Sequence, residues 1–173
     1  HGSGFFITKQ GHILTTFDAV GEGMRTRIVP ADRKHKIPAE VLRVDKARNV
    51  ALLKLEEIPS GLEITTLPIR TDWPKIGEDV YALGTPRDWK FMTDTLTKGI
   101  VSAHRKDYKL FGIAKDYIQA DVEIHKGSKG GPLLDEYGNV VGLAQGSYAE
   151  EAITHGIGLN YFIPIGEALE QLD

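Results

Sequence analysis

The sequence contains no cysteine. Disulfide bridges and thiol chemistry are therefore excluded, although that alone does not fix a redox compartment. Charge of one sign is also missing. Lys and Arg number 21 and Asp and Glu 24, a formal net charge of −3. A general nucleic-acid binder needs a basic face, so no nucleic-acid partner is expected. No apolar run approaches the length of a membrane span, and none is expected within these residues. No secretory signal precedes His1, and the abrupt opening "HGSGFFI" reads as that of an excised domain. Internal repeats and low-complexity tracts are lacking. What remains is a chain of 173 residues, 41% hydrophobic and 26% charged, which suits one soluble domain with a buried core.

The chain reads as short strands broken by turns. "GFFITKQGHILTTF" is a hairpin turning at Lys9-Gln10-Gly11, where glycine is free to take positive φ. "KIPAEVLRVD" and "NVALLKLE" alternate or run apolar, as half-buried and buried strands do. "GEDVYALGTP", "TKGIVSAHRK" and "DYIQADVEI" continue the theme. "GPLLDEYGNVVGLAQG" is a second hairpin, turning at Tyr137-Gly138-Asn139, and "GIGLNYFIPI" is a last strand. Only "PIGEALEQLD" carries a helical stripe, with Ile165, Ala168, Leu169 and Leu172 on one face. Leu67 to Asp79 is the longest connector and would join two halves of similar size. Many short strands with one terminal helix predict a closed all-β architecture. The charged runs "DRKHK" (32–36) and "HRKDYK" (104–109) read as solvated loops, because acidic residues interleave with the basic ones.

The stretch "HKGSKGGPLLDEYGNVVGL", His125 to Leu143, holds the frame Gly-x-x-Gly-Gly-Pro-Leu. A loop of that kind carries the nucleophilic serine of a trypsin-type hydrolase. Its glycines let the chain turn sharply and bring backbone N–H groups to an oxyanion. Four further stretches align in order with one family. "GSGFFITKQGHILTTFDAV", "VDKARNVALLKLE", "GEDVYALGTPRDWKFMTDTLTKGIVSAHRK" and "GIGLNYFIPI" each match one of its blocks, as does "IQADVEIHKGSKGGPLLDEYGNVVGL". Together they resemble the protease domain of the HtrA (Deg) family over nearly the whole chain. The resemblance implies a trypsin-like fold of two six-stranded antiparallel β-barrels with a short C-terminal helix. Residues 1–70 would form the first barrel, 77–163 the second and 164–173 the helix. It also implies a periplasmic or otherwise extracytoplasmic setting.

The same resemblance places the catalytic triad on Asp18, Asn49 and Lys129 in the order histidine, aspartate, serine. Asp18 is a poor base and acid near neutral pH, Asn49 carries no charge and Lys129 has no hydroxyl. The expectation is therefore that the chain is not an enzyme. It would be a pseudoprotease that holds a protein or extended peptide segment, from a separate partner or from another domain of the same protein. The three replacements are chemically coherent, and an Asp18–Lys129 salt bridge backed by the Asn49 amide is expected. Gly127, Ser128, Lys129 and Gly130 would form the oxyanion-type loop. Ala144, Gln145, Gly146, Ser147 and Tyr148 would offer a strand edge to a peptide. Glu123 would line the first specificity pocket and favour a basic side chain. Two alternatives stand beside this reading. One is a serine endopeptidase with a displaced nucleophile at Ser128. The other is a metal-binding pseudoprotease using His125, which shares a face with Glu123. The six histidines (His1, His12, His35, His104, His125 and His155) show no zinc spacing, and neither a resident metal nor another cofactor is expected.

Overall fold

Alternating and glycine-punctuated stretches give eleven strands and two short helices in the computed structural model, which describes residues 1–23, 25–85, 94–110, 113–125, 127–147 and 159–170. The first half contains β1 (Gly4–Phe6), β2 (His12–Thr15), α1 (Phe17–Val20), β3 (Arg25–Ile28), β4 (Ile37–Asp45) and β5 (Val50–Leu55). The hairpin β1–β2 turns through Gly11, at φ 87°. Its register sets Phe5 opposite Leu14, so both side chains point to the core. Strands β1 to β5 form a five-stranded sheet in the order β1-β2-β5-β4-β3.

The second half contains β6 (Asp79–Gly84), β7 (Thr95–Leu110), β8 (Ile113–Ala120), β9 (Pro132–Leu134), β10 (Val140–Ser147), β11 (Asn160–Pro164) and α2 (Ile165–Glu170). Here the ladder closes on itself, because the short strand β9 pairs with β6 on one side and β10 on the other. The expectation of two six-stranded barrels is thus corrected. Only the second sheet has six strands, and the first has five with its two edges unjoined among the described residues. The stretch that passes its open side contains Pro59 and Gly61, poor ladder formers, and covers the core with the buried side chain of Ile64 instead.

Three other readings change. β3 has no counterpart among the strands expected from the sequence. The run 104–109 is not a loop but part of β7, paired with β8 through a bulge between Arg105 and Tyr108. The strand read as "DYIQADVEI" stops at Ala120, where the Asp121 carboxylate accepts the Ile100 N–H at 2.7 Å and diverts the chain.

The connector between the sheets is pinned rather than loose. Val140 donates to the Pro68 carbonyl at 2.8 Å and accepts from the Arg70 N–H at 3.0 Å. The Arg70 guanidinium then gathers the carboxylates of Glu78, Asp72 and Asp135. The core lies within each sheet and between them, with Phe5, Leu14 and Val50 of the first half packed in one cluster with Tyr117, Leu143 and Tyr161 of the second. On α2, Ile165 and Ala168 complete that cluster. Leu172 lies outside the described residues.

Candidate functional site

The site lies where the two sheets meet. α1 is a single turn after β2, and Thr16 at its N-cap makes no side-chain cap bond. The cap comes instead from Asn49, in the turn between β4 and β5. Its side-chain oxygen accepts the Asp18 N–H at 2.9 Å and its carbonyl accepts the Phe17 N–H at 3.2 Å. Asn49 has a φ of 59°, a left-handed conformation that asparagine tolerates better than most residues. The amide nitrogen of Asn49 donates to the Asp18 carboxylate at 3.0 Å and to the Gln145 side-chain oxygen at 3.2 Å. Asn49 and Gln145 are both buried. Asp18, Asn49 and Gln145 therefore form one chain of hydrogen bonds running from the surface into the interface.

Asp18 does not meet Lys129. The structure gives its carboxylate to Asn49, and the expected salt bridge is replaced by this acid–amide pair. A neighbouring cation is Lys115 on β8. Burial pushes its ammonium below the usual lysine range, against the opposing pull of Asp45 and Asp18.

The glycine-rich loop is held on several sides. Gly130 donates to the Ala144 carbonyl and Ala144 donates to the Gly131 carbonyl, each at 2.9 Å. Gly130 has a φ of 87°, and a Cβ there would overlap the Ser3 carbonyl and the Thr15 hydroxyl. The Ser128 side chain is buried and packs against Gly84, where an added Cβ would fall 2.6 Å from the Ser128 hydroxyl. Ser128 thus faces the second sheet and a small cavity of about 10 Å³. Gly84, Thr97, Glu123, His125, Ser128 and Ala144 are among the residues that line that cavity. Such a volume suits about one water molecule.

Glu123 and His125 follow β8 and face one another at 4.0 Å, with side chains 77% and 45% exposed. Glu123 is among the residues lining that cavity, with most of its side chain in solvent. Among the described residues no group of three or more His, Asp or Glu side chains gathers to hold a metal. No serine hydroxyl among them is hydrogen-bonded to a histidine ring; His12 meets Thr8, His35 meets Asp32 and His104 meets the Pro74 carbonyl. Of the expected peptide edge, Gln145 turns inward at a bulge between Ala144 and Gly146, while Gly146 and Ser147 pair with β11. Tyr148 and His155 lie outside the described residues. Sequence reasoning missed Ser3, which touches this loop; its signal was the Gly-Ser-Gly opening beside the glycine frame.

A family model described as a trypsin-like peptidase domain matches residues 2–143. Protease Do-like 1, chloroplastic, from Arabidopsis thaliana is 30% identical over 99% of this chain and 39% of its own length. A probable periplasmic serine endoprotease DegP-like from Hahella chejuensis is 32% identical over 99% of this chain and 34% of its own. The chain thus spans well under half the length of these curated relatives. Among solved structures, the serine endoprotease from Yersinia pestis superposes with a TM-score of 0.78 at 25% identity, over 98% of this chain and 55% of that one. The HtrA-type protease AlgW with decapeptide superposes with a TM-score of 0.82 at 25% identity, over 98% and 49%.

These likenesses correct one expectation. The sequence reading has the chain as no enzyme, whereas relatives matched over nearly all of it are named as proteases and serine endoproteases, and that expectation is withdrawn. With two sheets, few helices, a glycine-rich loop at their junction and a family match over most of its length, the chain belongs to the trypsin-like peptidase domain family, of the HtrA/DegP type.

Proposed function

We propose that this domain takes hold of an extended polypeptide segment along β10, beside the Gly127–Gly131 loop. The observation that carries the reading is the uneven pairing of β10. It pairs with β11 from Gly142 to Ser147, but with β9 only from Val140 to Leu143. On the β9 side the loop takes both backbone groups of Ala144, and residues 145–147 have no ladder neighbour there among the described residues. Unpaired strand backbone is a template for adding another strand. The structural neighbour solved with a decapeptide supports the same reading by likeness. A setting outside the cytoplasm accompanies it, since two of the relatives are named periplasmic.

The test is fluorescence anisotropy of labelled, unfolded casein titrated with the chain. Saturable binding is expected, and an unchanged signal at high protein concentration defeats the proposal.

A second reading, hydrolysis of the bound segment, is favoured by the names of the relatives. By resemblance the triad places hold Asp18, Asn49 and Lys129, so the hydroxyl would come from elsewhere. Ser128 is the loop residue that offers one. Its side chain packs against Gly84, and attack would require this part of the loop to turn. Cleaved casein together with phosphonate labelling of Ser128 establishes this reading. Intact casein and an unlabelled chain remove it.

A further inference from the structure

The hydroxyl of Ser3 is committed on both its donor and its acceptor side. It donates to the Gly127 carbonyl at 2.7 Å and accepts the Thr85 N–H at 2.9 Å. The same residue's backbone N–H donates to the Lys129 carbonyl at 2.8 Å, and its carbonyl accepts the Thr15 hydroxyl at 2.6 Å. One residue ahead of β1 thus touches two carbonyls of the glycine-rich loop, the end of β6 and the end of β2. The packing allows little slack. A Cβ on Gly2 would meet the Ala19 Cβ at 2.5 Å and the Lys129 carbonyl at 3.0 Å, while a Cβ on Gly130 would overlap the Ser3 carbonyl.

We infer that Ser3 is a positioning residue for the Gly127–Gly131 loop, fixing the direction of the Gly127 and Lys129 peptide groups from the other sheet. A carbonyl held by a donor resists rotation, and the N–H in the same peptide plane is held with it, that of Ser128 beside the Gly127 carbonyl and that of Gly130 beside the Lys129 carbonyl. The side chain must donate and accept at once, which a hydroxyl does and alanine does not. Its geometry stands alone. Its consequence for ligands rests on the peptide-holding reading above.

The experiment compares Ser3→Ala and Ser3→Thr with the parent chain by amide hydrogen exchange and casein anisotropy. The loop amides of Ser128, Gly130 and Gly131 are the reporters. The amides of Leu55 and Gly77, bonded to Gly11 and Val101, serve as distant controls. Two neutral hydrogen bonds are lost in Ser3→Ala, so loop exchange is expected to rise roughly tenfold relative to the controls. Casein affinity should weaken several-fold, and Ser3→Thr should restore both. Thr15→Val removes one further bond to Ser3 and should speed the same amides to a smaller degree, which keeps the test open if Ser3→Ala folds poorly. Loop exchange that moves only in step with the controls, in both variants, overturns the inference. Loop amides that loosen in a chain whose parent binds no casein uphold the positioning role while the peptide reading fails.

Discussion

The two sheets solve one problem in different ways. The second joins its edges, with β9 bridging β6 and β10, so backbone hydrogen bonds surround a core of Val80, Val101, Ile118 and Phe162. The first leaves β1 and β3 apart across a groove of about 840 Å³, and its core of Ile13, Val41 and Leu53 is covered there by the side chains of Leu62 and Ile64. A closed ladder removes exposed edges, whereas a covered face depends on a few apolar contacts. The acid–amide pair hangs from the first sheet and the glycine loop from the second. The site therefore combines a part carried by an open sheet with a part carried by a closed one.

That contrast can be broken most severely at Gly131. A Cβ there would overlap the Leu83 carbonyl and lie 3.0 Å from the Ser128 carbonyl, both backbone atoms of the closed side. Gly131→Ala should lower unfolding stability by about 3 kcal/mol in urea titrations. Ile64→Ala probes the covered side of the first sheet. The cost should be about 2.5 kcal/mol, near the lower end for such truncations, because a strap without ladder bonds can settle into the space. A cost well above that of Gly131→Ala would reverse the comparison.

Asn49→Asp tests the join between the two. It replaces the amide that donates to Asp18 and Gln145 with a second carboxylate facing the first. A loss of about 2 kcal/mol at neutral pH is expected, partly recovered in acid as one of the two protonates. The weakest pH dependence near neutrality is expected from Asp135, which closes the β9–β10 turn. Burial pushes its carboxyl upward, but hydrogen bonds from Asn139, Tyr137 and Arg70 outweigh this and leave it below the ordinary aspartate range. A depressed folded value means the stabilisation is present above the unfolded value and is lost as pH falls through the folded one. Melting temperature should thus hold through neutral pH and fall below about pH 4, and Asp135→Asn should flatten that acid limb.

Most strands were legible because their neighbours are local: Gly11 and Gly138, both at positive φ, punctuate the two hairpins that the sequence announces. β3 was not legible, since "RTRI" exposes Arg25 and Arg27 and only half-buries Thr26 and Ile28, which leaves a weak apolar signal. The run 104–109 misled for a related reason. This part of β7 has a solvated face, so its residues look like those of a loop. At the site, residue types and the glycine frame were readable, and the partners were not. Asn49 is 31 residues from Asp18 and 96 from Gln145, and Ser3 is 124 from Gly127. Such contacts follow from how two sheets dock, which no local pattern encodes.

The most direct measurement is amide exchange across residues 140–147 with and without saturating unfolded casein. Slower exchange confined to residues 145–147, with Val140 to Leu143 unchanged, is the expected result. Uniform exchange along β10, or protection appearing only on the first sheet, would contradict a polypeptide held at this edge.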